Sequence, residues 1–132
     1  GGSIEYFPLP DRGDRLQALW VAPTRAQVAI TSMRDGLFIF DKAARAMAQY
    51  QRADGHQLYQ IVRRYHDDVV MISNHHDHMK SIDMIDLAKA KEILSYPLPN
   101  QVGEPREGLA QDSQGRVWYC QTFTDVLGRL QP

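Results

Sequence analysis

Three stretches of this sequence share one layout, and that repeat limits the possible folds more than any other feature. Each copy is an apolar segment, a short polar turn and a second, more apolar segment, and the copies are residues 20–32, 61–73 and 109–121. Short apolar runs bounded by turn residues are typical of β-strands, and long helical stripes are absent. Two strands joined by a short turn form a β-hairpin. The sequence therefore predicts an all-β chain built on three hairpins.

A third and a fourth apolar segment follow the hairpins. The third segments are residues 36–41, 81–86 and 126–130, and the fourth are residues 92–99, with a degraded copy at 48–51 and a close copy at 4–10. The Ala- and Lys-rich residues 41–48 and 86–92 are too short for stable helices, so we interpret them as turns into the fourth strands. The matching tyrosines Tyr6, Tyr50 and Tyr96 lie 44 and 46 residues apart. Four short strands per unit with a period in the forties is typical of a β-propeller blade.

The last unit resembles a known family. The residues that carry this likeness are Ser95-Tyr96-Pro97-Leu98-Pro99, then 107–119 with Gly115-Arg116-Val117-Trp118, then Leu127-Gly128-Arg129-Leu130. Together they look like one repeat of the virginiamycin B lyase-like propellers, and similar blades occur in two-component-sensor-like and gluconolactonase-like propellers. The likeness is good over residues 92–132, fair over 4–47 and weak over 48–91. It implies a propeller that holds its ligand in loops on one face.

The chemistry of the lyase does not carry over to this chain. The resemblance implies ring opening of a cyclic depsipeptide by elimination, with a divalent metal, a histidine base and a carboxylate ligand. Many repeats of that family place a histidine before the glycine that opens the inner strand, and this chain has Glu107 before Gly108. Arg106 and Glu107 are instead expected to form a structural salt bridge, with a charged pair that reaches the central channel as the other interpretation.

The strand count leaves the predicted propeller unfinished. We assign residues 4–9 to the outer strand of a closing blade, 16–52 to blade 1, 58–99 to blade 2 and 107–132 to blade 3, with residues 1–3 as a cloning remnant. Three blades cannot form a ring of the usual size, roughly 4 to 8 blades. Two copies would give six blades, with the first strand of each copy completing the last blade of the other. We therefore expect a half-propeller completed by homodimerisation or by the remainder of a larger parent chain.

Composition narrows the classes of partner. The 132 residues carry a net charge of −1, which gives no field that would attract a polyphosphate, so nucleic acid is not expected. No run approaches the roughly 18 apolar residues of a membrane helix, so we expect no membrane partner. The lone Cys120 cannot form an internal disulfide, and its place in a strand predicts a buried, inert thiol. The compartment stays open between cytoplasmic and bacterial extracytoplasmic.

The loop between the second and third strands of blade 2 contains the most unusual cluster, Asn74-His75-His76-Asp77-His78. An extended backbone points His76 and His78 to one side, where two imidazoles with Asp77 or a water would suit zinc or another divalent ion. Histidines in a polar loop are more often simply solvated, so a solvated loop is the first interpretation and the metal site is the alternative. The candidate ligand-binding residues on this face are Arg34, His75, His76, His78, Arg106, Glu107 and Asp125.

Several other residues have structural interpretations. The strand aromatics are expected to pack between blades, Asp67 and Asp68 to face solvent, and residues 112–115 to form a hairpin turn in which Gly115 supplies a positive φ. The strand aromatics are Trp20, Phe38, Phe40, Trp118 and Tyr119.

These features favour a binding or sensing module that takes a small-molecule or protein ligand through loops on one face, with no required cofactor. No Gly-rich phosphate loop or nucleophile elbow is present in the sequence. The alternative is a metal-dependent lyase or lactonase-type enzyme. An enzyme of that kind should keep a divalent ion through purification, and His76→Ala or His78→Ala should release it.

Overall fold

The computed structural model describes residues 1–10, 18–32, 36–50, 52, 59–75, 79–103, 105 and 108–132, without the side chains of residues 18, 19 and 75. The described residues contain no helix, so the all-β prediction is confirmed. Their strands are β1 (Ala18–Pro23), β2 (Gln27–Ser32), β3 (Gly36–Asp41), β4 (Ala46–Tyr50), β5 (Tyr59–His66), β6 (Val69–His75), β7 (Lys80–Asp86), β8 (Lys91–Pro97), β9 (Leu109–Gln111), β10 (Val117–Cys120) and β11 (Leu127–Leu130).

The strands form three antiparallel sheets in which consecutive strands pair. Sheet 1 contains β1 to β4, sheet 2 contains β5 to β8, and sheet 3 contains β9 to β11. The first strands of the sheets, β1, β5 and β9, lie next to one another in that order. Within the described residues β11 pairs only with β10, so its other edge carries no strand. The propeller arrangement of these sheets stays a prediction.

The two segments interpreted as turns are turns in the structure. Asp41 Oδ1 accepts a hydrogen bond of 2.8 Å from the Ala44 N–H, and Asp86 Oδ1 accepts one of 3.2 Å from the Lys89 N–H. The last turn residues, Arg45 and Ala90, have φ values of 54° and 49°. An aspartate at the end of a strand favours such turns because its side chain bonds the backbone of the turn.

Sheet 2 lies between the other two sheets and buries both of its faces. Its first face packs against sheet 1 through residues such as Val62, Val70 and Ile72, which meet Ala29 and Leu37. Its second face packs against sheet 3 through Ile61, Met71, Ile82 and Met84, which meet Leu109, Val117 and Tyr119. Successive residues of a strand point to opposite faces, so a central strand such as Val69-Val70-Met71-Ile72 must be apolar throughout. The three sheets therefore enclose two apolar cores, one between sheets 1 and 2 and the other between sheets 2 and 3.

The middle repeat is offset by one residue from the alignment suggested by sequence. Val70 packs toward sheet 1 and Val117 packs toward sheet 2, whereas equal spacing would have matched Val117 with Val69. The first strand is shifted with the second, because Val62 pairs with Ile72 as Leu109 pairs with Tyr119. A shift of one residue moves every side chain to the other face of a sheet.

Sheets 1 and 3 each keep one face outside the two cores. The outward face of sheet 1 carries Val21, Val28, Ile30, Phe40 and Met47, of which Val21 is 61% exposed. The outward face of sheet 3 carries Ala110, Trp118, Cys120, Leu127 and Arg129. Cys120 is exposed on this face, so the prediction of a buried thiol is wrong for the single chain. The reason is that Val117 and Tyr119 take the inward positions of the same strand.

Residues 4–9 form no strand within the single chain. They lie against the outward face of sheet 1, where the rings of Phe7 and Phe40 are 4.6 Å apart between centroids. The described part of the chain contains no helix long and apolar enough to cross a membrane.

Candidate functional site

Five connections of the chain leave and re-enter the sheets at one edge. Within each sheet the end of the second strand and the start of the third lie at the edge opposite the first hairpin turn, and the strand ends that flank the connections between sheets lie at that same edge. We call it the loop edge. It is defined by the links 33–35, 51–58, 76–79, 98–108 and 121–126 between the strands. All candidate ligand-binding residues belong to these links or to the strand ends beside them.

The structure tests few of those candidates directly. Arg34, His76, His78, Arg106 and Glu107 lie outside the described residues. The backbone of His75 ends β6, where it pairs with Lys80, and Asp125 is exposed in the link before β11. Among the described residues no group of three or more His, Cys, Asp or Glu side chains could hold a metal ion. The metal site at His76 and His78 stays a prediction.

A buried carboxylate lies between sheets 1 and 2, a few residues from the loop edge. Asp83 of β7 is fully buried. Its Oδ1 accepts hydrogen bonds from the hydroxyls of Ser81 at 2.8 Å and Ser95 at 2.7 Å. Its Oδ2 lies 3.4 Å from both Arg52 Nη1 and Asn74 Nδ2. A buried charge needs this many donors because its loss of hydration must be offset within the protein.

Two tyrosines extend this polar cluster at the end of β4 and the start of β5. Tyr59 is fully buried, and its ring centroid is 6.5 Å from that of Tyr50. Burial, and then the negative charge of Asp83, raises the pKa of the Tyr59 phenol. Burial, and then Glu92 and Asp83, raises the pKa of Tyr50. Both side chains are therefore neutral phenols at physiological pH, which can donate a hydrogen bond.

The Tyr59 hydroxyl is the unusual member of the cluster. It is buried and has no hydrogen-bond partner among the described residues. Buried hydroxyls are nearly always bonded, because leaving one unpaired costs free energy. We call Tyr59, Asp83, Arg52, Asn74 and Ser95 the polar cluster. It can hold neighbouring strands in register and offer one free donor, and we see in it no pairing of a nucleophile with a base.

Sequence reasoning missed this cluster, although a signal for it was present. Asp83 interrupts an otherwise apolar strand, Ile82-Asp83-Met84-Ile85. A carboxylate in a strand that is buried on both faces must find partners, so its position marks a polar site. Asn74 and Ser95 reach Asp83 through the pairing of β6 and β8 with β7, and Arg52, from the link after β4, reaches it because sheet 1 packs on sheet 2.

At the opposite edge, Asp68 joins the hairpin turns of sheets 1 and 2. Its Oδ1 accepts hydrogen bonds of 2.9 Å from the Thr24 hydroxyl and from the Ala26 N–H, and Arg25 Nη2 lies 3.4 Å from Oδ2. The residue is 8% exposed, so the prediction that it faces solvent is wrong. These bonds, the one from Ala26 above all, lower the pKa of its carboxyl.

The turn of the third hairpin has the predicted form. Gly115 has a φ of 79° and donates its N–H to the Asp112 carbonyl at 3.1 Å. The Asp112 carboxylate accepts bonds from the Trp118 indole N–H at 2.9 Å and from Arg116 Nε at 2.7 Å. The Trp118 bond is the main cause that holds the pKa of Asp112 well below its usual range. This turn therefore has a structural explanation.

The outward face of sheet 1 forms a groove with the amino-terminal residues. We call it the sheet 1 groove. It measures about 390 Å³ and is lined by Glu5, Tyr6, Phe7, Leu9, Val28, Ile30, Phe40 and Met47. A second groove of about 220 Å³ lies between β8 and sheet 3. Its lining includes Tyr96, Leu98, Tyr119 and Leu130.

The two grooves are built from equivalent positions. Phe7 and Leu9 of Phe7-Pro8-Leu9-Pro10 repeat Tyr96 and Leu98 of Tyr96-Pro97-Leu98-Pro99. Val28 pairs with Phe40 across β2 and β3, just as Val117 pairs with Leu130 across β10 and β11. Ile30 and Tyr119 each follow that valine by two residues. Residues 4–9 therefore lie on sheet 1 as the end of β8 lies on sheet 3.

Comparisons with known proteins add nothing to this geometry. No protein-family model matches the chain, and no curated protein matches it. The resemblance to virginiamycin B lyase-like propellers stays a prediction from the motifs quoted above.

Proposed function

We propose that this chain is half of a six-bladed β-propeller, completed by a second copy, and that the assembled ring is a binding or sensing module. Its ligand, a small molecule or a protein segment, is held at the loop edge. The three sheets are then three blades, and residues 4–9 are the outer strand of a blade whose other strands come from the second copy.

The observation that carries this proposal is the match between the two grooves. The end of β8 reaches the groove on sheet 3 as the last strand of the preceding sheet. Residues 4–9 occupy the same place on sheet 1, with no preceding sheet among the described residues. By analogy with β8, residues 4–9 would be the fourth strand of a sheet, so three more strands are needed to complete that sheet. Sheet 3 has three strands and an unpaired β11 edge, so a second copy supplies what is missing.

Exposed apolar surface supports the same assembly. The outward face of sheet 3 leaves Leu127 64% exposed, and the outward face of sheet 1 leaves Val21 61% exposed. If the outward face of sheet 3 in one copy packed on the outward face of sheet 1 in the other copy, the contact would repeat the packing already present on both faces of sheet 2. Contiguous exposed apolar patches mark interaction surfaces, and two-fold closure uses both patches in each copy.

The binding role is supported by the loop edge. The strand ends beside these links lie there in all three sheets, and the polar cluster contains the Tyr59 hydroxyl, which has no hydrogen-bond partner among the described residues. Loops positioned by a rigid scaffold are the usual place for recognition. The candidate residues Arg34, His75, His76, His78, Arg106, Glu107 and Asp125 are the ones proposed to contact the ligand.

The mass in solution tests the assembly. Size-exclusion chromatography with light scattering should give twice the chain mass of 15.1 kDa. Leu127→Asp, on the outward face of sheet 3, should give a folded monomer. The control Ile93→Asp changes a residue of similar exposure, 50%, on β8 of the middle sheet, and it should leave the dimer intact.

The Cys120 thiol gives a second measurement. It is exposed in the single chain and would be covered in the dimer, so its rate of reaction with a thiol reagent should fall as protein concentration rises. A wild-type chain that stays monomeric at every concentration, with a freely reacting Cys120, would overturn the proposal.

A further inference from the structure

We infer that Arg45 is a positioning residue for this assembly: it holds residues 4–9 on sheet 1 as a preformed strand edge that pairs with β11 of a second copy. The inference rests on the proposed function and adds to it a residue outside the pairing surfaces. Arg45 ends the β3–β4 turn, which neither strand pairing nor stacking of the outward faces would use.

The contacts of Arg45 are directed at the amino-terminal segment. Its guanidinium forms a salt bridge with the Glu5 carboxylate and lies over the Phe7 ring, 4.8 Å from the ring centroid. Phe7 in turn packs on Phe40 of sheet 1. The Arg45 side chain therefore contacts both Glu5 and Phe7, which point to the same side of the segment. A planar guanidinium can pair with a carboxylate and can also stack on an aromatic ring.

The backbone of the turn aims Arg45 at the segment. Arg45 has a positive φ of 54°, and the turn before it is set by the bond from the Ala44 N–H to Asp41. The equivalent turn of sheet 2 ends in Ala90, also at positive φ. The methyl group of an alanine cannot form the salt bridge and the cation–π contact that Arg45 forms. The arginine is therefore a feature of the sheet that faces the proposed dimer interface.

The side of residues 4–9 that Arg45 does not contact stays exposed, and we infer that a strand of a second copy pairs with this segment. Ile4 and Tyr6 are 81% and 85% exposed, whereas Phe7 is 39% exposed. A segment held by one side leaves its other side free for a partner. The partner we name is β11 of a second copy, because its free edge and the three-stranded sheet 3 require one more strand. Ordering a segment before it binds lowers the entropy cost of association.

The test compares Arg45→Gln with Arg64→Gln by sedimentation equilibrium. Arg64 is an exposed arginine on β5, so both variants lose one surface charge. Arg45→Gln should weaken dimerisation about tenfold, the size expected from one exposed cation–π contact and one surface ion pair. Arg64→Gln should leave the dimer constant unchanged. The exchange Glu5→Arg with Arg45→Glu should recover part of the loss.

A second experiment measures how accessible residues 4–9 are to a protease in the monomer, at protein concentrations below the dissociation constant of the dimer. Chymotrypsin cleavage of the Tyr6–Phe7 bond should be several-fold faster in Arg45→Gln, with an unchanged urea midpoint for unfolding. If the wild type is a dimer and Arg45→Gln has the same dissociation constant, the role of Arg45 is overturned and the proposed function stands. A wild type that never dimerises would overturn both, and equal cleavage rates would overturn the clamp by Arg45 in either case.

Discussion

Replacing Asp68 with alanine should weaken the whole chain, because this carboxylate joins the hairpin turns of two sheets. The change removes the acceptor for the Ala26 N–H and the Thr24 hydroxyl, both at 2.9 Å. Thr24 keeps a second acceptor in the Gln27 carbonyl at 3.1 Å, so its loss is partly compensated. The Arg25 contact counts little because that side chain is 73% exposed.

The expected loss is about 2 kcal/mol in the free energy of unfolding, the scale of one charge-assisted hydrogen bond and one partly compensated neutral one. For a chain of this length that corresponds to roughly 8 °C in Tm. Urea unfolding at one fixed protein concentration measures it, with the midpoint expected to fall and the m-value to stay constant. Asp67→Asn is the matched control, since Asp67 is exposed in the same turn and asparagine tolerates its φ of 48°.

The pH dependence gives the sharper test. Because the pKa of Asp68 is lowered in the folded state, its contribution is full above the unfolded pKa of about 3.9 and is lost as the pH falls through the folded value. The stability difference between wild type and Asp68→Ala should therefore be largest near neutral pH and shrink below about pH 4. Asp112, whose pKa is also lowered, titrates equally in both proteins and cancels. An Asp68→Ala midpoint equal to that of Asp67→Asn would refute the reasoning.

Three further substitutions test the packing and the polar cluster. Asp83→Ala should cost about 3 kcal/mol in urea unfolding, because it leaves buried donors without their acceptor; a loss under about 1 kcal/mol would contradict the network. Gly128→Ala places a Cβ 2.1 Å from Tyr119 Cζ, so it should lower Tm and cost at least about 1 kcal/mol. Tyr59→Phe removes a buried hydroxyl that has no partner in the described part of the chain and should be neutral or stabilising by up to about 1 kcal/mol; a destabilised variant would show that the hydroxyl is bonded.

Local sequence was sufficient to predict the strands and the turns between them. The segment Gly36–Asp41 is a short apolar run whose first four residues are buried, and an aspartate begins each of the two tight turns after β3 and β7. These features depend on neighbours within a few residues. Strand periodicity and turn chemistry can therefore be recognised without knowing the fold.

The polar sites depended on contacts that no local pattern contains. Asp67 and Asp68 are neighbours in one turn, yet the side chain that bonds the turn of sheet 1 is that of Asp68, 44 residues from Thr24 along the chain, while Asp67 contributes its backbone carbonyl to Arg25. Nothing in the pair itself distinguishes them. The offset of the middle repeat has the same origin, because a shift of one residue exchanges the two faces of a strand, and a strand that is apolar on both faces looks the same in sequence after the shift.

The amino-acid sequence by itself determined the all-β class, the turns and the order of the strands, since each follows from side-chain alternation and short-range hydrogen bonding. The tertiary structure decided which faces are covered. It buried Asp83 and Tyr59 between sheets 1 and 2, exposed Cys120 on sheet 3, and laid residues 4–9 on sheet 1. The physical reason is that burial is a property of the stacked sheets, set by which face meets a neighbour, and a strand read alone has two equal faces.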